Sequence, residues 1–134
     1  MKDYTFKIPQ EIVFGPGALK KLPELLKKIG SEKTMILSDH GLEKVGVVNQ
    51  VMDLVEENGI TAYAFLDIQP NPTIEMVEEA AKAYRESGAG SIVALGGGSP
   101  MDVAKAVGVL ARYGGNILDY EGAHLVPGAI EPVI

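Results

Sequence analysis

A chain of 134 residues that is 46% hydrophobic and 22% charged has the balance of one globular domain with a buried core, which excludes a disordered or fibrous chain. A net charge of −6 argues against a nucleic-acid partner, which needs a clustered basic surface, and the absence of cysteine removes disulfides, thiolate metal sites and a cysteine nucleophile. No apolar run approaches the roughly 20 residues of a membrane span, and Met1-Lys2-Asp3-Tyr4-Thr5 lacks a signal peptide's apolar stretch, so a cytoplasmic protein with no membrane partner is expected.

Residues 8–14 read as an extended, edge-like segment, followed by a Gly15-Pro16-Gly17 turn. Ala18, Leu22, Leu25, Leu26 and Ile29 then recur at helical spacing up to Gly30, with Pro23 bending or restarting the helix. Residues 34–37 form a short apolar strand that ends at Ser38-Asp39. Val47, Val51, Leu54 and Val55 mark the next helix, closed by Gly59.

The cycle repeats with a strand over 61–68, a Pro70-Asn71-Pro72 turn, and a helix capped by Thr73 that carries Ile74, Val77, Ala81 and Tyr84 and closes at Gly88 and Gly90. Residues 91–95 are a third strand. They lead through Gly96-Gly97-Gly98 into a helix with Val103, Ala104, Val107 and Ala111 on one face, stopped by Gly114-Gly115. A short helical turn over 116–120 and an apolar run from Pro132 to Ile134 complete the chain.

Short apolar strands alternating with helices imply βαβ units and a mainly parallel sheet covered by helices on both faces: a doubly wound α/β domain of dinucleotide-binding type over residues 1–134. Ligands of such sheets bind beyond the carboxyl ends of the strands, near the point where the strand order reverses. Asp39, Asn71 and the loop from Gly96 to Ser99 all fall just past strand ends, and that shared edge is the predicted site.

The segment GGGSPMDVAK, residues 96–105, joins a strand to a helix. Glycines there let an anion approach the main chain, toward which the first free N–H groups of the helix point with the helix dipole behind them. Ser99, Pro100 and Asp102 also read as N-cap, first-turn proline and capping-box acid, so helix capping alone accounts for part of the motif. The G-x-G-x-x-G fingerprint is not met, because Met101 stands where the third glycine would be. A phosphate or nucleotide cradle and a purely structural glycine turn both remain open on pattern alone. Ser99 has no positioned base and is not read as a nucleophile, and His40 and His124 read as loop residues.

IVFGPGAL (12–19), SD (38–39), PNPT (70–73), GGGSPMDVAKA (96–106) and YEGAHLVPGAIEPVI (120–134) together resemble the amino-terminal half of the iron-containing (group III) alcohol dehydrogenases, over essentially the whole chain. Ser99-Pro100 favours this branch over the related glycerol dehydrogenases and dehydroquinate synthases, which typically carry Lys or Glu there. The resemblance implies NAD, or NADP, held by this half, and a divalent metal, Fe2+ or Zn2+, held by an all-helical second half.

It further implies that Gly97, Gly98 and Ser99, in a cofactor-binding loop opened by Gly96, hold the pyrophosphate. Asp39 would bind the adenosine ribose and repel the 2′-phosphate of NADP. Asn71 would line the adenosine side, with Asp102 and Lys105 facing the nicotinamide end. The plain alternatives are a loop cap for Asp39, a turn residue for Asn71, a capping acid for Asp102, and a surface ion pair between Asp102 and Lys105.

The implied parent is a homo-oligomeric dehydrogenase that moves hydride between a primary or secondary alcohol and the nicotinamide. The family's second threonine- and glycine-rich loop, and the Asp and three His that hold its metal, have no counterpart in this sequence. The chain is therefore expected to be a truncated cofactor-binding half, without catalytic or metal-ligating residues and inactive alone. A non-catalytic nucleotide-binding module, or part of a glycerol dehydrogenase or dehydroquinate-synthase relative, stands as the alternative.

Overall fold

A computed structural model describes residues 11–120 and 126–134; His124 and the first residues of the extended segment expected at 8–14 lie outside them. Three parallel strands, β1 (Lys33–Leu37), β2 (Thr61–Phe65) and β3 (Ser91–Ala94), lie in the order β2-β1-β3. Met35 sits in register between Tyr63 and Ile92. The chain therefore moves to one side of β1 to form β2 and to the other to form β3, which places the reversal of strand order between β1 and β3. Beyond β3, Ala94 N donates to Ile134 O at 2.8 Å and Ile134 N to Ile92 O at 2.9 Å, so the 132–134 segment starts a further parallel pairing.

Helices α1 (Leu22–Lys28), α2 (His40–Lys44), α3 (Val47–Glu57), α4 (Ile74–Ser87) and α5 (Gly98–Tyr113) fill the connections. Successive strand residues point to opposite faces, and two cores result. Met35, Leu37 and Ile92 pack against Val77, Ala81 and Tyr84 of α4 and Val103, Val107 and Leu110 of α5. Ile36 and Val93 pack on the other face against Leu22 and Leu26 of α1 and Val51 and Val55 of α3. The doubly wound α/β fold expected from the sequence is the one observed.

Differences are local and have local causes. Pro23 restarts the first helix: a 3₁₀ turn over Ala18–Lys21 gives way to α1 with proline at its second position, where the backbone N–H has no intrahelical partner to lose. Strand β2 stops at Phe65 rather than at 68, because the chain turns there and Asp67 makes an isolated antiparallel bridge with Asp39. Helix α2, five residues long, is not foreseen by periodicity. Thr73 caps α4 as expected, accepting from Met76 N at 3.2 Å.

The carboxyl-terminal segment is fastened to α4 and α5. Tyr84 Oη donates to Glu131 Oε2 at 2.9 Å and Tyr113 Oη to Ala129 O at 2.6 Å, while a Cβ on Gly108 would stand only 3.1 Å from Ile130 Cδ1. Burial, and then the Glu131 carboxylate, hold the Tyr84 phenol well above its ordinary pKa, so it stays a donor. Tyr84→Phe should cost about 1.5–3 kcal/mol through this charge-assisted bond, read as a lower urea midpoint with an unchanged slope.

Candidate functional site

At the carboxyl end of the sheet, one buried serine fastens the strand ends. Ser38 N donates to Phe65 O at 3.0 Å and its Oγ to Leu95 O at 2.8 Å, while Leu95 N donates to Leu37 O at 2.9 Å. Asp39 follows in extended conformation and caps α2, its Oδ1 accepting from Leu42 N at 2.8 Å. The cap occupies Oδ1, and Oδ2 retains acceptor capacity. Asp39 thus caps a helix rather than the loop expected as its plain alternative, and the cap is compatible with a ligand role for the other oxygen.

The adjacent glycines of the loop after β3 serve different ends. Gly96 has φ +136°, and a Cβ there would meet Pro100 Cγ at 3.1 Å and Leu42 Cδ1 at 3.4 Å, so both its backbone and its surroundings require glycine. Neither Gly97 nor Gly98 has a left-handed φ, and a Cβ on either would meet no atom within 4 Å. Nothing within the fold crowds a side chain at these two positions, although the ψ of −146° at Gly97 lies outside the usual β region. Their bareness leaves open space in front of the amino end of α5, a 16-residue helix whose first N–H groups and dipole favour an anion.

Helix α5 begins earlier than the capping pattern suggests. Gly97, not Ser99, is the N-cap, so Ser99 and Pro100 are the second and third helical residues and Asp102 lies outside the capping-box position. The reason is tertiary: Ser99 Oγ donates to Pro70 O at 2.9 Å and so does not turn back onto its own helix. Proline is tolerated at the third position because the N–H it lacks is among the four with no intrahelical acceptor.

Asp39, Gly97, Gly98 and Ser99 line one cavity of about 290 Å³, closed on its far side by Ile68, Gln69 and Pro70. The structure therefore joins the acid after β1 to the glycine loop after β3, at the reversal of strand order. Gly96 shapes the loop without lining the cavity. Asn71 lies in an adjoining acidic depression of about 390 Å³ with Asp67, Thr73, Glu75 and Glu79, and Gln69 borders both. Asp102 and Lys105 are exposed on α5, line neither depression, and form no ion pair with each other among the described residues.

Gln69 and His40 are missed by the sequence reading. Gln69 obeys no pattern and is found only by its place before the Pro70-Asn71-Pro72 turn. His40 is the first residue of α2 and not a loop residue. Its Nε2 lies 2.9 Å from Asp67 Oδ1 and its Nδ1 3.2 Å from Glu43 Oε1, and these hydrogen bonds, that to Asp67 foremost, raise its pKa above 6.5.

An apolar cavity of about 350 Å³ opens on the opposite side of the sheet, among Leu19, Leu22, Leu25, Val51 and Val93. It lacks the convergent polar groups that fix a ligand's orientation, so the glycine-loop cavity is the candidate site. Among the described residues no group of three or more His, Cys, Asp or Glu is placed to hold a metal ion, and no helix is long and apolar enough to cross a membrane.

Comparison with known proteins agrees with the family resemblance and with the fold. The sequence model described as iron-containing alcohol dehydrogenase matches residues 9–133. A choline dehydrogenase of Bacillus subtilis is 40% identical over 122 residues, which are 91% of this chain and 30% of that protein. A crystal structure of a 1,3-propanediol oxidoreductase superposes with a TM-score of 0.93 at 29% identity, covering 98% of this chain and 35% of that one. A sulfoacetaldehyde reductase of Bifidobacterium kashiwanohense, solved in complex with NAD+, superposes with a TM-score of 0.89 at 26% identity, covering 98% and 35% respectively. The chain thus spans about a third of the length of the proteins it matches.

Proposed function

Because the chain belongs to the iron-containing alcohol dehydrogenase family, we propose that it is the NAD-binding part of an alcohol dehydrogenase acting on a small alcohol or aldehyde. The observation that carries this is the pair Gly97 and Gly98, bare of contacts in front of the α5 amino end, in one cavity with Asp39. In this reading the main-chain N–H groups of Gly98 and Ser99 bind the pyrophosphate. The Ser99 hydroxyl, already donating to Pro70 O, shapes the wall. Asp39 accepts from the adenosine ribose hydroxyls through the oxygen its cap leaves over, and Gln69 and Asn71 border the adenosine side.

The cavity, at the small end of ligand sites, has room for the pyrophosphate and the adjoining ribose. The nicotinamide would extend over the exposed surface of α5 toward Asp102 and Lys105. When bound, the nicotinamide supplies the hydride acceptor or donor, and this chain's residues hold and orient it. The NAD+ carried by the sulfoacetaldehyde reductase is consistent with the assignment. The Fe2+ or Zn2+ that the family resemblance implies belongs, in this reading, to the complete protein only. The catalytic residues would also lie outside this chain, leaving it inactive alone.

Titrating the folded chain with NADH, NADPH and ADP-ribose tests the reading. Saturable binding of NADH and ADP-ribose, with NADPH weaker, is expected in fluorescence or calorimetry. A folded sample that takes up none of the three would overturn it.

A further inference from the structure

The segment that forms the far wall of the cavity has no regular structure of its own. Between Phe65 at the end of β2 and Ile74 at the start of α4, the chain makes no sheet ladder and no helix, only the isolated bridge from Asp67 to Asp39. The middle of the segment is held by Ile68, which is buried in the core against α4 and α5, and by Gln69 N, which donates to Met76 Sδ at 3.5 Å; side chains from neighbouring helices fix its two ends. Ser99 Oγ holds the Pro70 end from α5 at 2.9 Å, and His40 Nε2 holds the Asp67 end from α2 at 2.9 Å.

We propose that His40 is a positioning residue of the cofactor cavity, its imidazolium strapping the 67–70 wall to α2 so that dinucleotide affinity falls when the ring loses its proton. The inference rests on the cofactor reading of the cavity given above. Its geometric basis is that both ring nitrogens face carboxylate oxygens, Nε2 that of Asp67 and Nδ1 that of Glu43 at 3.2 Å. A neutral imidazole has one N–H; it can satisfy one of these acids only while setting a lone pair against the other. The cation alone satisfies both.

The strap also lies beside the site on each side. His40 directly follows Asp39, a cavity residue, and Asp67 directly precedes Ile68, Gln69 and Pro70, also cavity residues. The charged groups acting on the ring are Glu43 from α2 and Asp67 from the segment after β2. Because both raise the folded-state pKa above 6.5, the contribution of the strap is fully present below the unfolded value and is lost as pH rises through the folded one.

The test compares the wild-type chain with His40→Gln and Asp67→Asn at about pH 6 and about pH 9. NADH affinity is measured together with amide-exchange protection of residues 66–69, corrected for intrinsic exchange. His40 is exposed, so its replacement should leave the fold standing. In the wild type, alkaline pH should weaken NADH binding several-fold and lower the protection of the wall. Both variants should bind several-fold more weakly at the acidic pH and lose most of the pH dependence. NADH binding whose pH profile survives His40→Gln, with wall protection unchanged, would overturn the positioning role and leave the cofactor reading standing. Failure of the folded wild type to bind NADH at either pH would overturn both.

Discussion

Gly98→Val should leave the chain folded at its original stability and weaken NADH binding by at least about a hundredfold. Gly98 is helical, and a Cβ there meets nothing within 4 Å, so the fold has room for the side chain and helix propensity slightly favours it. The room is the cavity itself, and branched carbons would stand between the α5 N–H groups and an incoming pyrophosphate. Losing about two hydrogen bonds to a charged group, at about 1.5–3 kcal/mol each, corresponds to that factor. Gly96→Ala should do the reverse. Its φ of +136° and the 3.1 Å approach to Pro100 Cγ impose strain of about 1–3 kcal/mol on any side chain. A lower melting temperature is therefore expected, with binding of the molecules that remain folded affected less. If Gly98→Val lost stability instead, the loop would be structural throughout and the pyrophosphate assignment would fail.

Much of the site is legible in the sequence because its parts sit at strand ends, and strand ends are marked by composition. The runs ending at Leu37 and Ala94 are short and, after a polar start at Lys33-Thr34 and Ser91, apolar, whereas the acid of Ser38-Asp39 and the triple glycine Gly96-Gly97-Gly98 break the apolar run just beyond them. Helices α3 and α4 are equally plain, since an apolar stripe of period 3.6 runs from a cap, Gly46 in one and Thr73 in the other, to a glycine stop at Gly59 and Gly88. Illegible features depend on partners distant in sequence. Local rules make Ser99 a helix cap, but a carbonyl 29 residues away takes its hydroxyl and the helix starts from Gly97. Helix α2 contains Gly41 and only five residues, too few to show a period, and is marked in the structure by the Asp39 cap that starts it. Asp102 and Lys105 show the limit of the motif: GGGSPMDVAK runs as one segment in sequence, but helical geometry carries its last residues along α5, outside the cavity.

Asp39→Asn should shift the cofactor preference toward NADPH by at least about tenfold without destabilising the chain. Asn and Asp are near-equal N-caps, so the bond from Leu42 N at 2.8 Å should persist while the negative charge disappears. A carboxylate about 5 Å from a doubly charged 2′-phosphate is repelled by at least about 1.5 kcal/mol even at the dielectric constant of water, and by more in a partly enclosed cavity. That is about a factor of ten in relative affinity. NADH should weaken modestly, because the amide oxygen still accepts from the ribose hydroxyls but carries no charge. Asp39→Gly removes charge and cap side chain together, so a drop in melting temperature seen there but not in Asp39→Asn would separate the two roles. Added salt should narrow the wild-type discrimination and leave that of the Asn variant nearly unchanged, since only the former depends on unscreened charge. An Asp39→Asn protein with unaltered preference for NADH over NADPH would show that Asp39 acts as a helix cap alone.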